Sequence, residues 1–133
     1  MGNAMTLTPI AVFAALTGFM LLASFQLALV LGAPLGHLAW GGLHRHLPLR
    51  LRLASLAAIV VLMTGGLCVL EVAGIVDVLD QDHRARAVVW GLVGLFGLSL
   101  LGNLASSSRA ERRMGVPVAG LLMVACLIVA VGL

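Results

Sequence analysis

Apolar positions in this chain come in blocks rather than in a face-by-face alternation. Four stretches carry almost no charge: residues 10–31, 53–76, 87–105 and 114–133. Each is close to the ~20 residues that a helix needs to cross a ~30 Å hydrocarbon layer. None alternates apolar with polar as a strand would. Only helices and closed barrels satisfy their own backbone in lipid. The pattern predicts an all-α fold, a four-helix transmembrane bundle with short loops, forming a single integral membrane domain over residues 1–133.

Composition agrees with lipid as the solvent. The 133 residues are 62% hydrophobic and 10% charged, against roughly 25% charged in ordinary soluble domains. Mean hydropathy is +1.16. A cytosolic enzyme, a secreted disulfide scaffold and a disordered tail are all excluded. Cys68 and Cys126 lie inside apolar runs and form no C-x-x-C pair, so they read as small hydrophobes rather than redox or zinc groups. All eight basic residues are arginine, which points to a GC-rich, bacterial source.

Charge then orients the bundle. The first connector, residues 32–52, holds Arg45, Arg50 and Arg52 with His37, His44 and His46 and no acid; the third holds Arg109, Arg112 and Arg113 against Glu111. The second mixes Asp77, Asp80 and Asp82 with His83, Arg84 and Arg86. Arginine excess marks the cytoplasmic side, so connectors one and three are expected inside, both termini outside, in a bacterial inner membrane. The six inner arginines are then headgroup contacts on an anionic leaflet, and no nucleic-acid partner is called for.

The first run is too long, and lacks the basic flank, for a cleaved signal peptide. The opening residues Met1 to Thr6 match a myristoylation pattern by accident, with Met5 the natural start. Sixteen glycines supply small faces for close helix approach. Such faces are Ala11, Ala15 and Gly18, then Gly91, Gly94 and Gly97, then Gly115 and Ala119. They serve packing within the chain, or alternatively a homodimer seam. Pro34 ends or bends the first helix; Pro117 fits the first turn of the fourth. Trp40 and Trp90 read as interface anchors.

Candidate chemistry is sparse. Glu71 lies late in the second run, near the outer edge of the hydrocarbon. An acid there is a functional candidate by default, although a pair with Arg84, Arg86 or His83 explains it more simply. Gln26, about 8 Å before Leu31 along the helix, needs a partner in lipid, with Ser24, Ser99 or Thr64 in reach. The loop histidines have Arg45 between them and no carboxylate or thiolate to complete a metal set, so no metal or cofactor is expected. The stretch Gly32-Ala33-Pro34-Leu35-Gly36-His37-Leu38-Ala39-Trp40-Gly41-Gly42 predicts an irregular turn, either a re-entrant closure of the inner mouth or a plain connector.

That G-A-P-x-G-x-x-A-W-G-G turn is followed by Leu47-Pro48-x-x-Leu51-Arg52-x-x-Ser55 and by Asn103-Leu104-Ala105-Ser106-x-Ser108-x-x-Glu111-Arg112. Together they resemble a family of small four-span membrane proteins of bacteria. The resemblance covers most of the chain and implies the architecture, but it assigns no activity and no catalytic residue. Three functions follow in order of expectation. The first is a non-enzymatic module that binds a lipid or hydrophobic ligand, or acts as a partner subunit, with Gln26, Pro34, His37, Trp40 and Glu71 as its ligand-binding candidates. The alternative is a small proton-coupled transporter using Glu71. An integral-membrane enzyme comes third, since no nucleophile–base set is readable.

Overall fold

In the computed structural model, residues 7–79 and 82–132 are described. Helix α1 spans Thr8–Val30, α2 Leu49–Val72, α3 Asp82–Ala105 and α4 Arg109–Val131. Two short 3-10 turns, Gly36–Leu38 and Trp40–Gly42, fill the first connector, and no strand occurs among the described residues. Each helix is long and apolar enough to cross a membrane, as expected of a multi-pass membrane protein.

The helices run up and down, each packed on the next, with α4 closing back on α1. Small side chains fill the centre: Ala15, Gly65, Gly66, Cys68, Ala119, Ala125 and Cys126 are all buried. Large ones, including Phe13, Leu21, Leu98 and Leu121, face outward. This arrangement suits lipid, where helices associate by close approach rather than by hiding leucine from water. Gly18 admits the Leu122 side chain of α4, and Gly65 admits Leu92 of α3. Phe19 and Phe96 stack between α1 and α3 with ring centroids 5.7 Å apart.

Besides α1, which begins at Thr8 rather than 10, three helix starts differ from the reading of the apolar runs. Helix α2 begins at Leu49 rather than 53, directly after Pro48 in extended conformation. It ends at Val72 rather than 76, where Gly74 turns the chain at φ +76°. Helix α3 begins at Asp82 rather than 87. Helix α4 begins at Arg109 rather than 114, because the Ser108 hydroxyl accepts the Glu111 N–H and caps it. Pro117 consequently sits inside α4, not in its first turn. The physical reason is common to all three: arginines were read as loop markers, yet their long aliphatic stems allow them to occupy the first turns of a spanning helix. The opening residues 1–6 and Asp80 lie outside the described residues.

Candidate functional site

The three motif segments meet at one end of the bundle, where α1 and α3 finish and α2 and α4 begin. Helix α1 stops at Val30, ahead of Pro34, and Gly32 takes φ +95°. The chain then folds into the two 3-10 turns. The Gly36 N–H donates to the Arg45 carbonyl at 3.0 Å, which draws the connector into a closed loop. A Cβ at Gly36 would overlap the His44 carbonyl oxygen. Leu29, Ala39 and Leu47 form a small apolar core beneath it.

Side chains from α2 and α4 tie this loop down. The Trp40 indole N–H donates to Ser55 Oγ at 3.1 Å, and Ser55 is fully buried on α2. Trp40 itself takes a left-handed conformation, φ 52°, which costs a non-glycine residue about 1–2 kcal/mol. Just ahead of α4, Ser108 Oγ donates to the His37 carbonyl at 2.7 Å while accepting the Glu111 N–H at 3.2 Å. The buried Glu111 carboxylate accepts from Ser106 Oγ at 2.5 Å and from the Gly41 N–H at 3.4 Å. Gly42 packs so closely that a Cβ there would lie 2.5 Å from Ser108 Cβ. Arg112 Nη1 donates to the Ser106 carbonyl. Arg52 Nε donates to the Leu47 carbonyl at 3.1 Å.

Of the predicted ligand-binding residues, this end gathers Trp40 and His37 with their partners, together with Gln26 and Pro34. The His37 side chain and Pro34 are exposed, and His37 contributes its carbonyl rather than its ring. Gln26 follows the buried stripe of Val12, Ala15, Phe19 and Ala23 along α1. Its expected partners are otherwise placed: Ser24 Oγ donates to its own helix at Met20, and Thr64 and Ser99 are exposed. Gln26 Oε1 is buried with no donor among the described residues.

Glu71 belongs to the opposite end. Its carboxylate accepts the Val78 N–H at 3.0 Å and the Leu79 N–H at 3.3 Å, closing the connector after α2. The expected arginine partners are directed elsewhere: Arg84 is exposed, and Arg86 donates to the Ala130 carbonyl in the last turn of α4. Two buried carboxylates thus each gather a loop, one at either end of the bundle.

Reading the sequence alone missed Ser55, Ser106, Ser108 and Glu111 as site residues. The Ser-x-x-Glu spacing of 108 and 111 is a helix-start signature and was the available signal. Among the described residues no cluster of three metal-ligating side chains occurs. An open apolar groove on α1 is lined by Phe13, Leu16, Thr17, Met20 and Leu21. Gly91 and Gly94 of α3 meet nothing within 4 Å, whereas Gly97 faces Met123 of α4 and Gly115 faces Asn103 of α3. The chain matches no family model, no curated protein and no solved structure.

Proposed function

We propose that this protein is a non-enzymatic module of a bacterial inner membrane that binds a lipid or another hydrophobic molecule. The observation that carries the reading is the Gln26 amide oxygen, buried at the bundle end without a donor. Leaving such an acceptor unpaired costs about 1–3 kcal/mol. A bound molecule with a hydroxyl or amine would recover that energy and be oriented by it. The apolar surface of α1 at Phe13, Leu16, Thr17, Met20 and Leu21 faces away from the stripe that Gln26 continues, and offers contact for a partner helix. A second copy would approach most closely at Gly91 and Gly94, where nothing of the chain itself intervenes. The three motif segments interlock at one end of the bundle. Six of the eight arginines gather there, which supports a cytoplasmic position for that end and an outer position for both termini.

Native mass spectrometry of protein released gently from membranes tests the reading. Wild type is expected to carry a reproducible extra mass, and Gln26→Leu to lose it. With the ligand removed, Gln26→Leu is expected to melt higher than wild type, since the unpaired amide is gone. A wild-type protein that never carries an adduct overturns the binding reading.

The transporter alternative needs Glu71 to exchange protons during turnover. Its carboxylate is occupied by two loop amides, which supports a structural role. Glu71→Gln is therefore expected to lower the melting temperature, by the loss of a charge-assisted bond of about 1.5–3 kcal/mol. Unchanged melting together with lost substrate-coupled proton movement would favour the transporter.

A further inference from the structure

Antiparallel packing brings two helix starts and two helix ends to the motif-bearing end, so their opposite partial charges largely offset one another. What remains is formal charge: six arginines and a single carboxylate, Glu111, buried and already accepting two hydrogen bonds. That end lacks an anion.

One arginine is built to receive it. Arg52 is half-buried, and its Nε is committed to the Leu47 carbonyl. Its Nη2 lies beside Gly32, 3.0 Å from where a Cβ would stand. The Nε bond leaves Nη1 and Nη2 uncommitted, with Nη2 the nearer of the two to Gly32. Nη1 and Nη2 have no acceptor among the described residues, and neither is enclosed. These two nitrogens form the end-on fork that pairs with two oxygens of a phosphate. Arg112 lacks this fork, because its Nη1 is committed to Ser106. Leu31 and Leu53, the chain neighbours of Gly32 and Arg52, are exposed hydrocarbon, so an anion seated here has acyl-compatible surface beside it.

We propose that the Arg52 fork, set against Gly32 and the Leu47 carbonyl, seats the phosphodiester of one anionic phospholipid at the arginine-rich end. The proposal deepens the lipid-binding reading and rests on it. A zwitterionic headgroup is disfavoured because its ammonium would enter the field of six arginines. The lipid, rather than free phosphate, is the occupant because the neighbouring Leu31 and Leu53 are exposed hydrocarbon.

The test places the full chain in phosphatidylcholine nanodiscs containing phosphatidylglycerol, followed by native mass spectrometry and a melting curve. Wild type is expected to retain one phosphatidylglycerol. Arg52→Gln is expected to reduce that bound fraction about tenfold, the scale of losing a bidentate charged pair. Arg52→Lys keeps the charge and one donor for Leu47, so it preserves the fold, but it lacks the fork and is expected to lose the lipid as well. Arg84→Gln, an exposed arginine at the opposite end of the bundle, is expected to retain it. Added inorganic phosphate is expected not to displace it. Equal retention by wild type, Arg52→Gln and Arg52→Lys overturns the seat while leaving the lipid-binding reading intact, and displacement by phosphate identifies a free-anion site and overturns it too. A wild type that retains no lipid of any kind overturns both readings.

Discussion

Gly36→Ala is expected to yield no stably folded protein. The added methyl would occupy the position of the His44 carbonyl oxygen, and a carbonyl in a closed loop cannot swing aside as a side-chain tip can. Gly36 is buried, and its own N–H is bonded to the Arg45 carbonyl, so moving either strand of the loop breaks that bond. Displacement then spreads to Trp40 and its bond to Ser55, and to the small core of Leu29, Ala39 and Leu47. Overpacking in a tight interior ordinarily costs about 1–3 kcal/mol, and the two hydrogen bonds lost with it add about 1 kcal/mol each. Size-exclusion profiles after detergent extraction give the readout: aggregation for Gly36→Ala, and a wild-type peak for Gly102→Ala, whose Cβ would meet nothing within 4 Å. A monodisperse Gly36→Ala protein with wild-type melting would show that the loop does not need its close approach.

Glu111→Ala carries the second large expected effect. The carboxylate gathers the Ser106 hydroxyl and the Gly41 N–H, so its removal leaves two half-buried donors from different segments unpaired. Bonds to a charged acceptor are worth about 1.5–3 kcal/mol each, and a loss of about 3 kcal/mol follows once partial relaxation is allowed for. The Ser108 cap should survive, because it uses the backbone N–H of residue 111. Helix content is therefore expected to stay near wild type while the first connector loosens. Circular dichroism with limited proteolysis of residues 36–47 separates the two effects. Unchanged protease resistance would show that Ser108 and Ser55 hold the loop without Glu111. Glu111→Gln retains one acceptor oxygen and should fall between alanine and wild type.

The spans were legible because an apolar run of about 20 residues has few alternatives in lipid. Their ends were not, because Arg50, Arg109 and Arg86 resemble loop residues by charge while lying in helices. The importance of the Gly32–Gly42 turn was visible in its glycines and tryptophan. Its partners were not, since Ser108 and His37 are 71 residues apart and only helix packing brings them together. Glu71 was correctly placed near the end of its helix, but its partners were expected among side chains. Backbone amides of the following loop, Val78 and Leu79, proved to be nearer, and such donors leave no mark in the residue pattern.

The bonds from Ser108 to His37 and from Gly41 to Glu111 also order events in time. They join the first connector to the start of the last helix, so during synthesis the connector emerges long before its anchors exist. Through the insertion of α1, α2 and α3, the Gly41 amide and the His37 carbonyl must be satisfied by water or headgroups. Contacts between distant parts of a chain form late because the intervening segment must first be ordered. Seating of α4 is thus the step that locks the far end of α1, and a nascent chain halted before residue 109 carries an unfastened first connector.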